Sequence, residues 1–316
     1  MRIGISPYGS DRAAALELTR AAVAGGIDSL WLGDGLFRRP DFAGWRGGLE
    51  SLTELAWLAG RHPGVRIGIT AAVLPVRDID WLVREAATLD QLTEGNFVLA
   101  VAAGFWADEL EYRGIEPRAR GQEFRRRLTA LRTQLAGDQL SPEPYTPSGP
   151  PVWLAGERAT MRVAARLGLP FQSSRATPHE LEPIARDWTE LGGGLLGHRI
   201  YLEAGTAVPD GEQVARHTVT GSAEQLLAGL IAYRDLGVGD LSMVLGHDDA
   251  SAMRSLDVLL SEVLPAFIAG NGSLIAKKPG ASTILVWSTF SALMGEQDAA
   301  DRDQPKRAGD APHQRR

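Results

Sequence analysis

Two rhythms of apolar residues run along this chain. Short runs over residues 2–6, 29–33, 66–74, 97–103, 152–155, 170–173, 199–204 and 241–245 are almost continuously apolar, as expected of strands covered on both faces. Between them lie stretches with helical spacing, over 12–24, 49–60, 79–92, 121–135, 159–167, 178–191, 222–236 and 249–268. In the first, Ala15, Leu18 and Ala22 share a face, Ser10 or Asp11 can cap the start, and Gly25-Gly26 can stop the helix. Ser222 and Asp248 are cap candidates for the last two, and Gly237 closes the helix before the last strand. Alternating strands and helices predict a parallel sheet. Eight such units within about 268 residues predict one α/β domain, a (β/α)8 TIM barrel over 1–269. A Pro-rich insertion at 137–151 (GDQLSPEPYTPSGPP) is too short for a domain. It is expected to lie over one face of the barrel and, with residues 36–48, to help line the pocket and set the substrate.

Composition narrows the chemistry. The 316 residues are 44% apolar with a net charge of −6, an ordinary globular balance that argues against nucleic acid as a partner. Without cysteine the chain has no disulfide, thiolate nucleophile or Cys-ligated metal, which fits a cytoplasmic location. The opening MRIGISPYGSDR has no apolar core of a secretory signal, and no run of 18 apolar residues predicts a membrane span. All three lysines (Lys277, Lys278, Lys306) lie near the end, and arginine serves everywhere else, as in a high-GC coding sequence. Residues 270–316 therefore read as a separate, partly disordered tail, polar from 298 onward, with one apolar stretch at 282–293 suited to a short packed helix or strand.

Four stretches carry a resemblance to the luciferase-like superfamily of flavin and coenzyme F420 enzymes. They are AAVAGGIDSLWLGD at 21–34; VRIGITAAVLP at 65–75 followed by LVREAATLDQL at 82–92; GNFVLAVAAG at 95–104 with Arg120 and Phe124 downstream; and PVWLAGERATMRVAARLG at 151–168, echoed by GSAEQLLAGLIAYRDLGV at 221–238. The resemblance implies an oxidoreductase with its cofactor at the C-terminal ends of the strands. It implies coenzyme F420 with hydride transfer to or from a small organic substrate, or FMN with flavin reduction and oxygen activation. The arginine-rich coding places F420 ahead by association. It also implies a homodimer through early barrel helices, with Trp57, Leu58 and Trp81 as apolar candidates. A barrel that has lost catalysis and serves as a flavin-binding or partner subunit is the contrasting reading. A hydrolase or lyase would want carboxylates or lysines at several strand ends, where this chain has small apolar residues.

The resemblance also assigns residues. Thr70, Ala71 and Ala72 end the third strand where the family commonly has a non-prolyl cis peptide beneath the cofactor ring. Gly104, after Ala102-Ala103, lets a ring or ribityl chain approach the backbone. Gly156 at a helix start, with Arg158 and Thr160, forms a candidate phosphate site, although the family often has two glycines where this chain has Ala155-Gly156. Ser173 and Ser174, beside Gln172 and Arg175, are candidates for ribityl or phosphate contacts. Asp34 sits at a catalytic corner, either as a catalytic group or as a cap of the next loop. Many relatives follow this acid with a proton-transferring histidine, but here Gly35 takes that place. His247 and His217 follow strands and could face the pocket. His247-Asp248-Asp249 are adjacent in sequence, which favours helix capping over metal ligation, and no metal site is expected.

Overall fold

The computed structural model describes residues 1–37, 39, 49–139, 141–205 and 218–270, so the tail and the calls on it lie outside the described residues. Nine parallel strands form one sheet: β1 (Arg2–Ser6), β2 (Ser29–Leu32), β3 (Arg66–Val73), β4 (Phe97–Ala102), β5 (Val152–Ala155), β6 (Phe171–Ser174), β7 (Leu196–Ala204), β8 (Thr218–Gly221) and β9 (Val238–Leu245). Seven pair in chain order from β1 to β7, and β9 bridges β7 back to β1, which closes an eight-stranded barrel. The ninth strand, β8, lies outside that ring. It runs beside residues 201–204 of β7, on the edge that β6 leaves after pairing with residues up to Arg199.

Helices wrap the barrel: α1 (Arg12–Ala24), α2 (Ser51–Arg61), α3 (Ile79–Leu92), α4 (Ala107–Tyr112), α5 (Arg120–Leu135), α6 (Arg158–Leu167), α7 (Pro178–Glu190), α8 (Ala223–Asp235), α9 (Asp249–Val258) and α10 (Leu264–Ile268), the last two joined by one π-helical segment. The caps behave as the sequence predicts. Asp11 accepts from the Ala14 amide at 2.9 Å, and Asp248 accepts from the Ser251 amide at 2.7 Å. Outward strand residues such as Ile3, Ile5, Ile67, Ile69, Leu241 and Met243 form the main core with the helices.

The inward faces hold a second, smaller cluster. Trp31 and Trp153, their ring centroids 5.4 Å apart, fill the lumen with Val98 and Ala100. Below them Arg66 lies over both indoles and pairs with the fully buried Asp240 at 2.5 Å. This explains why β7 and β9 start three residues before their apolar runs. Their first inward positions are Gly197, which abuts Trp153, and Asp240, which meets Arg66, so neither looks like a strand in sequence.

The insertion at 137–151 joins α5 to β5 and so lies at the N-terminal ends of the strands. The Thr146 amide donates to buried Asp90 near the end of α3 at 2.6 Å, and Gln91 Nε2 donates to the Glu143 carbonyl at 2.8 Å. This corrects the expectation that it lines the pocket: it sits on the face opposite the βα loops. Most of the other loop expected there, 36–48, lies outside the described residues.

Candidate active site at the strand C-termini

At the β2 corner, Asp34 is fully engaged. Arg77 grips it as a fork, Nε to Oδ2 at 2.8 Å and Nη2 to Oδ1 at 2.7 Å, and the Val73 amide donates to it at 2.9 Å. Both partners are largely buried, with the Asp34 side chain 8% exposed. Arg77 also reaches Glu50, whose other oxygen caps α2 at the Thr53 amide. A carboxylate held this way ties the end of β3 to the β2 corner. Gly35 beside it carries no group for proton transfer.

The β3 end contains a cis peptide bond between Thr70 and Ala71, and the β3–β4 register shifts between Ile69 and Ala72. Ala71 packs on the inward tryptophan cluster, whereas the Ala72 side chain is buried in the helix-side core. The Thr70 hydroxyl donates to Gln172 Oε1, and its carbonyl accepts from Arg199 Nη1 at 3.0 Å. Arg199 Nη2 also donates to the Tyr8 hydroxyl at 3.3 Å, and the Gly33 amide donates to the same oxygen at 2.6 Å. Residues of β3, β6 and β7 and of the loops after β1 and β2 thus meet just above the tryptophan layer. Four buried polar atoms in the lumen have no hydrogen-bond partner among the described residues: Ser6 Oγ, Ser242 Oγ and Gln172 Nε2 in its upper part, and Asp240 Oδ1 below the tryptophans.

The predicted phosphate residues separate. Gly156 has φ 155°, and a Cβ there would stand 2.8 Å from Thr160 Oγ1, so glycine is required and the two residues are neighbours. The Gly156 amide is already used, donating to the Gln172 carbonyl at 3.1 Å. Helix α6 begins without a side-chain cap at Glu157, which leaves its first-turn amides open to an anion. Arg158 turns away and pairs with Asp187 of α7 at 2.9 Å, its side chain 51% exposed. Ser174 is exposed at the strand end. Buried Ser173 takes the face of Phe171, which packs on Trp188 of α7. Gly104 has φ 79°, and a Cβ there would stand 2.6 Å from Val73 Cγ1, so it closes the β4 end against β3.

Sequence reading missed three groups on this face. Arg199 opens a strand run that also holds Glu203. Glu109 of the unforeseen α4 is 1% exposed and accepts from the amides of Leu36 and Phe37 at 3.0 and 3.2 Å and from Arg39 at 3.1 Å, so it anchors the loop after β2. Glu203, near the end of β7, accepts from His247 Nδ1 at 2.9 Å. That pair gives the mouth of the barrel an oriented imidazole, which the position of His247 alone did not reveal.

A closed (β/α)8 barrel with polar side chains converging above a plugged lumen defines an enzyme-type site at the C-terminal face. Residues 2–193, more than half of the chain, match the family model described as luciferase-like monooxygenase. The chain belongs to that family of oxidoreductases. A 4-hydroxyprotoasukamycin monooxygenase of Streptomyces nodosus subsp. asukaensis is 28% identical over 227 residues; the match covers 70% of this chain, and the chain spans only 57% of that relative. Two solved structures share the fold. The oxygenating constituent of 3,6-diketocamphane monooxygenase from Pseudomonas putida, in complex with FMN, superposes with TM-score 0.67 at 15% identity, covering 84% of this chain and 98% of that one. An F420-dependent secondary alcohol dehydrogenase in complex with an F420-acetone adduct superposes with TM-score 0.68 at 15% identity, with the same coverage. No helix among the described residues is long and apolar enough to cross a membrane.

Proposed function

We propose that this chain is a reduced-flavin monooxygenase that takes FMN at the C-terminal face and acts on a small organic substrate. The observation that carries the reading is the concentration of unsatisfied donors above the tryptophan layer, beside the Thr70–Ala71 bulge, together with the uncapped start of α6. A planar ring with hydrogen-bonding edges suits the first feature, and a ribityl phosphate suits the second. The residues present therefore fit a flavin. Ala71, Gly104 and the Thr70 carbonyl would shape its floor, Gln172 and Ser174 would offer polar contacts, and the α6 amides with Thr160 would hold the phosphate. Bound reduced flavin supplies two electrons for activating dioxygen; the protein binds, orients and shields it. Asp34 acts as a positioning residue, holding β3 through Arg77 and the Val73 amide. His247, fixed by Glu203, is the group best placed to exchange a proton with substrate at the mouth.

The 28% identity to a monooxygenase favours oxygen activation, and the superposition on a monooxygenase in complex with FMN pairs that chemistry with FMN rather than with the F420 that the arginine-rich coding placed ahead. F420-dependent hydride transfer is the second reading, favoured by the equally good superposition on an F420-dependent dehydrogenase. Side-by-side titration with FMN, anaerobic reduced FMN and F420, followed by fluorescence, tests both; a protein that binds none of them would sink the proposal. Binding without turnover would instead point to the non-catalytic flavin-binding barrel. A homodimer is proposed as well, through the α2–α3 surface. Trp81 is 61% exposed there and Trp57 is partly exposed, while Leu58, at 2% exposure, belongs to the core and drops out of the candidate patch. Sedimentation should give a dimer at micromolar concentration, and a Trp81→Glu variant should shift it toward monomer.

A further inference from the structure

The upper lumen contains a positive charge that has no counter-charge among the described residues. Strand β7 alternates Gly197, Arg199, Tyr201 and Glu203 toward the lumen, so Arg199 stands one inward step above the contact of Gly197 with Trp153. Its guanidinium reaches across to β3 and rests on two neutral oxygens, the Thr70 carbonyl and the Tyr8 hydroxyl. It forms no ion pair among the described residues. The inward carboxylates are engaged elsewhere: Asp34 with Arg77, Glu203 with His247, and Asp240 with Arg66. A guanidinium has five N–H donors in a rigid fork, and two are accounted for here. A partly buried cation without an anion carries a desolvation cost that a neutral glutamine would avoid. The expense is explained if an anion arrives with the ligand.

We propose that Arg199 is the counter-charge for the reduced form of the cofactor, so that the pocket binds reduced flavin more tightly than oxidised flavin. The inference rests on the flavin reading above. Two-electron reduction leaves the flavin anionic at neutral pH, with the charge on its pyrimidine edge, while the oxidised ring is neutral. A fixed guanidinium at the floor of a site closed from below by the Trp31–Trp153 layer therefore discriminates between the two redox states by charge. The preference has a functional sense. A protein that acts on reduced flavin must take it up in the presence of the oxidised form, and this residue lets it do so without contacting the dimethylbenzene end of the ring.

The test is anaerobic titration of wild type, Arg199→Gln and Arg199→Lys with FMN and photoreduced FMN, together with potentiometry of the bound flavin and thermal melts. Wild type should prefer the reduced form. Arg199→Gln should weaken reduced FMN by about ten- to a hundredfold while leaving oxidised FMN within about threefold. The bound midpoint potential should then fall by about 30 mV for each tenfold of lost preference. Arg199→Lys, which keeps the charge, should retain most of the preference. Equal weakening of both redox forms by Arg199→Gln, or no weakening of either, would overturn the proposal. If the glutamine variant does not fold, the lysine variant decides, and loss of its preference would overturn the proposal equally. A wild type that binds neither FMN form would fail the flavin reading itself, an outcome distinct from an unchanged ratio.

Discussion

The lower and upper halves of the barrel lumen are built from the same alternating strands and are filled in opposite ways. Below, every charge is matched and the space is packed: Asp240 meets Arg66 and Arg2, Trp31 leaves no room for a Cβ at Gly4 or Gly68, and Trp153 closes tightly on Gly197. Above, Arg199 has no carboxylate, and hydroxyl and amide groups of Ser6, Ser242 and Gln172 stand without partners among the described residues. Packing ends where Ala71, Ala102 and Ala155 replace large side chains. The contrast shows how one barrel separates stability from recognition: paired charges and packed rings hold the fold below, where Asp240 Oδ1 is the one polar atom of the lumen without a partner among the described residues, while three such atoms gather at the face above.

Variants can test how independent the halves are. Trp31→Ala should have the largest effect, removing a wholly buried indole and costing about 3–5 kcal/mol in chemical denaturation. A smaller loss would mean the lower half tolerates a cavity, and the contrast with the upper half would weaken. Next comes Asp34→Ala, which strands Arg77 and frees the Val73 amide at the border of the two halves. It should cost about 3 kcal/mol and also loosen flavin binding, so a change in stability alone would remove Asp34 from the site. Gly156→Val should lower flavin affinity by about tenfold or more, since it forces the backbone out of φ 155° and collides with Thr160. The strain should also cost about 1–3 kcal/mol of stability without unfolding the barrel, because the residue is exposed at the loop face. Arg158→Ala should be the mildest. The side chain points to Asp187 in a half-exposed pair, so stability should change by about 0–1 kcal/mol and affinity by less than about threefold. A hundredfold loss would show that Arg158 swings to the phosphate on binding.

These expectations mark what sequence could and could not reveal. The barrel was legible because its strands are covered on both faces and so appear as unbroken apolar runs. The starts of β7 and β9 were not, because Gly197 and Asp240 answer to Trp153 and Arg66 across the lumen, contacts that no local pattern encodes. At the site, the small residues of Thr70-Ala71-Ala72-Val73 marked the bulge, and Gly156 marked a special backbone position. The direction of each side chain was out of reach. Adjacent residues on a strand face opposite sides, so Ala71 and Ala72, or Ser173 and Ser174, cannot be ranked before the register is known. Arg158 reads as a phosphate ligand from its place at the helix start, and the partner it has here, Asp187, comes from the next helix, 29 residues on. Arg199 had no signal, since its meaning comes from Thr70 and Tyr8, distant in sequence by 129 and 191 residues.

The seating of Trp31 has a consequence for how this sequence can change over time. A Cβ at Gly4 would stand 2.7 Å from the indole, and one at Gly68 would stand 2.3 Å from it. Positions 4, 31 and 68, on three neighbouring strands, therefore form one hereditary unit. While the tryptophan stays, the two glycines cannot drift even to alanine; once a lineage trades the indole for a smaller side chain, Gly68 is released to grow into the space, and Gly4 follows only if the Ser29 hydroxyl, 2.4 Å from such a Cβ, gives way as well. Among descendants of this barrel the three sites should vary together or not at all, with a history separate from that of the mouth above them.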